Sequence, residues 1–249
     1  MSMLSNPYAD NDDVARLYPH VRPGYPRDLV QSLIPDQPSV TIADIGAGTG
    51  KLTGLLLALG SQEQRLWAVE PSPSMRAELI SQFPQLSASI ISGTAEATGL
   101  PTHSCDTIFY SQSWHWLDQK SALIEAVRIL KPGGTAVVIA NQLDVSIPWV
   151  RRLSRIMRSG DVYRRSFPPQ FGPQFSAPKF AMATWQDRLS PQDVMRLGTT
   201  RSSWIRSSKE NRDKMQRNLR WYLYDKLQYR DEHILELPYV TYAWCAVRQ

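Results

Sequence analysis

The sequence predicts an α/β protein built on an open, largely parallel sheet, and two observations predict it. Strand-like apolar runs alternate with helix-patterned runs between residues 40 and 140. One of them, VTIADIGAGTGK from Val40 to Lys51, passes from a strand into three alternating glycines and then into a helix. Val40, Ile42 and Ile45 are β-branched residues suited to a short, fully buried strand, and Gly46, Gly48 and Gly50 let the backbone turn sharply and approach a ligand closely. Leu52 to Leu59 reads as the following helix. A chain of 249 residues with 42% hydrophobic content has enough apolar surface for one α/β core with an elaboration.

Glycine spacing decides what the loop binds. A dinucleotide fingerprint, G-x-G-x-x-G, needs its third glycine where Lys51 stands, and a phosphate loop, G-x-x-x-x-G-K-[ST], needs glycine at Ile45 and Ser or Thr at Leu52. Both phosphate readings fail, leaving a cofactor loop of another kind or an ordinary tight turn. An acid, Asp44, ahead of G-x-G-x-G resembles motif I of the class I S-adenosylmethionine-dependent methyltransferases. That cofactor has no pyrophosphate, and its ammonium and sulfonium are positive, so an acid at the strand end suits it. The resemblance implies Asp44, Gly46, Ala47, Gly48 and Gly50 as cofactor-binding residues.

Upstream, Asn11 to Tyr18 reads as a short helix, and Pro19, Pro23 and Pro26 break the chain after it. Pro26 suits the first position of the next helix, with Asp28 in its first turn and Leu29, Val30, Leu33 and Ile34 as its apolar stripe. The phrase YPHVRPGYP is similar to openings of small-molecule methyltransferases that fold over the cofactor's methionyl end. That implies Tyr18 and Arg22 as ligands of its carboxylate, against the alternative of Arg22 in a surface salt bridge. Residues 1–39 are thus expected as N-terminal helices over the cofactor.

Arg65 to Val69 reads as strand two, ending in Glu70. An acid there, about 20 residues past the glycine loop, is placed to accept from both ribose hydroxyls. Pro71-Ser72-Pro73-Ser74-Met75 then opens a helix and resembles the family's second motif, so Pro71 joins the expected cofactor contacts. Ser87 to Ser92 reads as strand three, and the following Gly93-Thr94-Ala95-Glu96 looks like the family's adenine clamp. Many relatives carry Asp at the position of Thr94, so either Thr94 or Glu96 takes the exocyclic amine, with Ala95 between them; the other reading is a solvated turn.

Strand four, Ser104 to Tyr110, runs into Ser111-Gln112-Ser113-Trp114-His115-Trp116-Leu117-Asp118. Ligands lie beyond the carboxyl ends of strands in such sheets. The phrase resembles the Q-x-x-H-W-F-D segment of small-molecule methyltransferases, including relatives of trans-aconitate methyltransferase. Ser111 and Gln112 are expected on the cofactor, and Trp114, His115 and Trp116 on the substrate. His115 is the catalytic candidate: a general base, a group that shapes the pocket, or a satisfied core histidine.

Gln119 to Leu130 has helical apolar spacing, L-K-P-G-G stops it, and Thr135 to Ala140 is strand five. From Leu143 the resemblance loosens. Ile147 to Met157 reads as a helix with Arg151, Arg152, Arg155 and Arg158 along it, the first three candidate substrate contacts, followed by an aromatic, proline-rich loop from Tyr163 to Phe180. Residues 143–180 are expected to form a substrate-capping insertion. Phe180 to Trp185 reads as strand six, Pro191 to Leu197 as a helix, Ser207 to Gln228 as one long basic helix, and Tyr239 to Val247 as the last strand. Over residues 1–249 the resemblance implies a single Rossmann-like domain. Its seven-stranded mixed sheet has the order 3-2-1-4-5-7-6, strand seven antiparallel and helices on both faces.

The formal net charge of +5 conceals an asymmetry: residues 1–150 hold 9 Lys and Arg against 14 Asp and Glu, whereas residues 151–230 hold 18 against 6. The basic segment is either a solvated surface or a positive wall for an anionic substrate. Cys105 and Cys245 lie in apolar runs and read as small core residues, and no metal is called for. No apolar run nears the roughly 20 residues of a membrane span, and the polar start lacks a signal-peptide core. A cytoplasmic monomer or homodimer with no membrane partner is therefore expected.

The function implied is methyl transfer from S-adenosylmethionine, giving S-adenosylhomocysteine, onto a small, carboxylate-bearing metabolite by in-line displacement. The alternatives are a nucleic-acid methyltransferase and a non-catalytic S-adenosylmethionine-binding protein. The absence of an N-P-P-Y, D-P-P-Y or Pro-Cys loop argues against the first. Intact Asp44, Glu70 and glycines argue against the second.

Overall fold

The computed structural model describes residue 8 and residues 11–37, 39–61, 63–160 and 163–249. The reading of the extreme N-terminus as lacking a signal segment falls largely outside the described residues, as do positions 38, 161 and 162 of the expected N-terminal and capping regions.

Seven strands, β1 (Thr41–Ile45), β2 (Arg65–Val69), β3 (Ile90–Ile91), β4 (Cys105–Ser111), β5 (Leu130–Leu143), β6 (Lys179–Leu189) and β7 (Leu235–Val247), form one sheet. Their order is β3-β2-β1-β4-β5-β7-β6. The first five pair in parallel, and β7 runs antiparallel to both β5 and β6. Sheet order and strand direction agree with the expectation.

The central strands β1, β4, β5 and β7 are buried on both sides, which is why they read as near-continuous apolar runs, whereas the edge strand β6 is only partly covered. Helices α2 (Arg27–Ser32) and α3 (Lys51–Leu59) cover one face, where Val30, Leu52 and Leu56 meet Ile42, Phe109, Val137 and Ile139. Helix α5 (Gln119–Ile129) covers the other, where Ala122, Ala126 and Ile129 meet Ile45, Tyr110, Val138 and Trp244. The two sets alternate along β4 and β5, as the period of two along a strand requires. Within L-K-P-G-G the chain bulges: Cys105 pairs with Leu130 and Thr107 with Thr135, and Gly133 adopts φ 77° to make the turn.

A separate apolar core sits at the carboxyl end of β5. Helices α6 (Pro148–Met157), α7 (Pro191–Thr199) and α9 (Lys209–Arg220) converge there with β7 around Leu153, Met157, Leu197, Leu219 and Leu237. Helix α1 (Asp12–Val21) adds Val21, and the short α8 (Ser202–Ile205) lies between α7 and α9.

Several elements differ from the expectation. Helix α1 runs through Pro19 to Val21, where a break was expected, α2 ends at Ser32, short of Leu33 and Ile34, and β5, β6 and β7 all extend beyond their expected bounds. Strand three was expected over Ser87 to Ser92, but Pro84–Ser89 winds as a 3-10 helix and only Ile90–Ile91 pairs with β2. Pro84 opens that helix, and the small residues Ser87, Ala88 and Ser89 offer no β-branched surface to a sheet. The long basic helix is also interrupted: α9 stops at Arg220, and Trp221–Lys226 continues as a π-helical turn. Met215, Leu219, Tyr222 and Leu223 stay buried on the core side across the interruption.

Candidate active site

At the carboxyl ends of β1, β2 and β4 a groove of about 220 Å³ is lined by Gly46, Gly48, Glu70, Pro71, Met75, Thr94, Ala95, Glu96, Ser111, Gln112, Tyr18 and Trp116, among others. A smaller recess of about 50 Å³ continues past the glycine loop, between Ala47, Thr49 and Lys51 on one side and Tyr18, Arg22 and Tyr25 on the other. A third cavity, of about 190 Å³, adjoins the groove through Tyr8, Tyr18, Gln112 and Trp116, which line both.

The glycine loop divides its labour. A Cβ at Gly48, φ 58°, would meet nothing within 4 Å, and Gly48 lines both groove and recess, so bare backbone faces the space a ligand would fill. Gly50 lines neither space. At φ 91° it caps α3, and a Cβ there would lie 2.4 Å from Leu79 and 2.8 Å from Phe83. The expected cofactor role of Gly50 is therefore replaced by a packing role: it lets α3 and α4 (Pro73–Gln82) come together under the loop.

Glu70 is fixed at the groove wall by two backbone donors, Gly48 N–H to Oε2 at 2.8 Å and Ser72 N–H to Oε1 at 2.9 Å. Burial raises its pKa, and these hydrogen bonds and the Arg76 charge oppose the rise. Asp44 stops short of the wall. It is fully buried, accepting from Thr53 Oγ1 at 2.7 Å and from Ser111 Oγ at 3.2 Å, and only Ser111 reaches the groove. Burial pushes Asp44 up to about 6, against the lowering effect of its hydrogen bonds to Thr53 and Ser111. In the Thr94 turn, Thr94 Oγ1 accepts from Ala97 N–H at 3.2 Å, while Glu96 Oε1 accepts from Asp118 N–H at 3.0 Å.

Arg22 is not a surface ion pair. Its Nε donates to Thr200 Oγ1 at 2.9 Å, its Nη2 to the Thr200 carbonyl at 2.7 Å and to Tyr8 Oη at 3.2 Å, and the guanidinium lies 4.9 Å from the centre of the Tyr18 ring. It lines both recess and inner cavity. The residues after β4 separate. Trp116 and His115 line the inner cavity, with the His115 ring 4.6 Å from that of Trp116 and its Nδ1 3.0 Å from the Tyr163 hydroxyl. Burial lowers the His115 pKa to about 4, so the imidazole is neutral near pH 7.

Trp114 does not join them. It is 2% exposed, with its ring 5.0 Å from Tyr110 and 5.9 Å from Phe171, so its expected substrate contact is replaced by a place in the core. The expected substrate arginines are also displaced. Helix α6 buries Val150, Leu153, Ser154 and Met157, a single helical face, which turns Arg151, Arg152 and Arg155 to the opposite, exposed side. Arg151 Nε donates to the Val145 carbonyl at 2.7 Å and Arg152 lies over Trp221 at 5.3 Å; none of the three lines the cavity. Arg158, one residue past α6 at φ 48°, and Arg201 line it instead.

Sequence reasoning noted Arg158 on the arginine stripe and Tyr163 in the capping loop without assigning either to the site, and passed over Arg201 and Tyr239; the four come from separate elements with no shared spacing. The only local sign was Arg158-Ser159-Gly160 directly after the helical pattern, where a chain reversal is expected.

The protein is similar to known proteins along most of its length. A family model described as a methyltransferase domain matches residues 43–138. An uncharacterized methyltransferase of Mycobacterium tuberculosis strain H37Rv is 35% identical over 226 residues, covering 90% of this chain and 89% of the relative. One from Schizosaccharomyces pombe is 33% identical, covering 81% and 82%. Among solved structures, the YcgJ protein from Bacillus subtilis superposes with a TM-score of 0.53 at 17% identity, covering 90% of this chain and 97% of that one. A bare glycine backbone beside an acid at the end of the second strand fits a nucleoside cofactor with no pyrophosphate, and at this level of identity and coverage the chain belongs to the class I S-adenosylmethionine-dependent methyltransferases.

Proposed function

We propose that this methyltransferase acts on a small acceptor bearing a carboxylate. The observation that carries the reading is the charge of the inner cavity: Arg22, Arg158 and Arg201 stand in its wall, and, among the described residues, no Asp or Glu does. A cationic wall concentrates carboxylates and disfavours amines. At about 190 Å³ the cavity is below the roughly 300–1,000 Å³ typical of sites for drug-sized ligands, which favours a small metabolite. The cap is assigned to the segment after β5 together with α7 and α8, since Arg158, Tyr163, Arg201 and Ser202 all line the cavity.

On this reading Glu70, oriented by Gly48 and Ser72, accepts from the ribose hydroxyls with its remaining lone pairs. Asp44 and Ser111 hold negative potential beneath the glycine loop for the methionyl ammonium, and Tyr18 and Arg22 close over the methionyl end. Pro71 and Ala95 flank the nucleoside, and Glu96 accepts the adenine amine because its second carboxylate oxygen is not used by Asp118. When bound, S-adenosylmethionine supplies a methyl group already activated on a positive sulfur. The chain's own work is to hold the acceptor in line, with Gln112 and Trp116 at the junction of groove and cavity, and to keep water out. A carboxylate needs no general base, so His115 is assigned to shaping the cavity wall, neutral and braced by Tyr163.

The test is a paired panel of carboxylic acids and their amides assayed for methyl transfer. Acids should be preferred, with kcat/KM falling as ionic strength rises. A preference for amides or amines without salt dependence would return the basic residues to a solvated surface.

A further inference from the structure

We infer that the hydroxyl of Tyr239 is the hydrogen-bond donor that seats an anionic oxygen of the acceptor, which makes Tyr239 a specificity-determining residue; the inference rests on the small-acid reading of the cavity. Tyr239, near the start of β7, is 2% exposed and lines the inner cavity. Its hydroxyl oxygen is buried without a hydrogen-bond partner among the described residues. Leaving a buried hydroxyl unsatisfied is destabilising, and such a group calls for a partner from outside the fold, a ligand atom or an ordered water. Phenylalanine would fill the same volume without that cost.

The amide and imidazole side chains around the cavity already have partners within the fold. Asn141 donates to the Gly24 carbonyl at 2.6 Å and accepts from Thr241 at 2.6 Å. Gln142 donates to the Tyr163 carbonyl at 2.9 Å and accepts from Tyr163 N–H at 2.9 Å. Gln112 donates to the Asn141 carbonyl at 2.8 Å, and His115 Nδ1 pairs with the Tyr163 hydroxyl. The Tyr239 ring is also held in place. It stacks on Trp185 with centroids 5.4 Å apart and planes 25° from parallel, and the Trp185 indole donates to Thr241 at 2.8 Å. One chain of contacts thus links Tyr239 through Trp185 and Thr241 to Asn141 on the cavity wall.

The field at that hydroxyl favours an anion. Arg201 and Arg22, which line the same cavity, act on it as positive charges, and Asp187, outside the cavity wall, opposes these two arginines. Burial outweighs them and pushes the phenol up to about 12, so it keeps its proton and stays a donor across the physiological range. A carboxylate oxygen would accept from Tyr239 while meeting the arginine charge; a neutral carbonyl would satisfy only the hydroxyl.

The experiment compares wild type with Tyr239→Phe, each loaded with S-adenosylhomocysteine. Each is titrated with citrate, succinate and benzoate and with their amides, followed by calorimetry. The variant should bind the acids roughly 10- to 100-fold more weakly, the scale of one hydrogen bond to a charged group, with unchanged affinity for S-adenosylhomocysteine. The Tm of the ligand-free variant should be equal to or above that of wild type, because no internal hydrogen bond is lost. Equal affinity of both proteins for the acids would overturn the inference alone, as would a fall of several degrees in the variant's Tm. A wild type that binds none of the acids would overturn the small-acid reading and the inference with it.

Discussion

Thr53, in the first turn of α3, donates its hydroxyl hydrogen to Asp44 at 2.7 Å, so the carboxylate at the end of β1 is tied to the helix that follows the glycine loop. Burial is the largest influence on Asp44 and lifts it to about 6 in the free protein. A cation bound above it favours the ionised form, so binding lowers that pKa and expels a proton. Affinity for S-adenosylmethionine should rise with pH through about 6. Calorimetry in buffers of different ionisation enthalpy should show proton release at about pH 6 and little from this group at about pH 7.5; no release at the lower pH would remove Asp44 from the site. The stability sign is opposite. A raised carboxyl pKa favours the protonated fold, so its contribution is full below the unfolded value of 3.8 and is lost as pH rises through about 6. Asp44→Asn should therefore raise Tm near neutral pH while weakening the cofactor.

Glu70 carries two loads that one substitution separates from the rest of the site. Glu70→Ala should weaken S-adenosylmethionine and S-adenosylhomocysteine by about 1–3 kcal/mol, the scale of hydrogen bonds to a charged group. It should also lower Tm, because the buried N–H of Ser72 and the N–H of Gly48 lose their acceptor. Binding that is indifferent to the change would contradict the ribose assignment.

Much of this was legible because it is local. Val40 to Lys51 encodes strand, loop and helix within twelve positions, and Glu70 sits at the end of a strand whose bounds, Arg65–Val69, follow from its own apolar run. The inner cavity was legible only in part: Arg22 was singled out, but Arg158 and Arg201 come from the end of α6 and the turn before α8 and meet only through the fold. Charge counting pointed to residues 151–230, which hold Arg158 and Arg201, but singled out Arg151, Arg152 and Arg155. The α6 face that buries Val150, Leu153 and Met157 decided against them, a periodicity that was present in the sequence. Trp114 was misread for a related reason: of two tryptophans two positions apart, only Trp116 faces the groove, and nothing local distinguishes them.

His115 should behave as a neutral wall. With its pKa near 4, a pH profile of kcat should show no acid limb at the ordinary histidine value of about 6.5. His115→Ala should change KM more than kcat, and Tyr163→Phe should reproduce part of that change by releasing the ring. A fall of about 100-fold or more in kcat, with loss of a limb near 6.5, would instead mark a general base.

The arginine assignments separate most sharply at Arg158. A non-glycine residue at φ 48° is strained, and this one is the cap of α6, where glycine would be the cheaper choice. Holding an arginine there is explained if its charge is needed in the cavity it lines. Arg158→Gly should hold or raise Tm, since the strain is removed and only an exposed side chain is lost. Its preference for acids over amides should nevertheless fall, as should that of Arg201→Met. The salt dependence of kcat/KM should shrink in the same two variants over the range where the screening length drops from roughly 10 Å at 0.1 M to 3 Å at 1 M. Arg151→Met, Arg152→Met and Arg155→Met, which change the net charge equally but lie on the outer face of α6, should leave acid preference near that of wild type. If the outer three variants lose the preference as much as Arg158→Gly and Arg201→Met, the effect belongs to the overall charge of the segment, and the cavity wall is not what selects the acceptor.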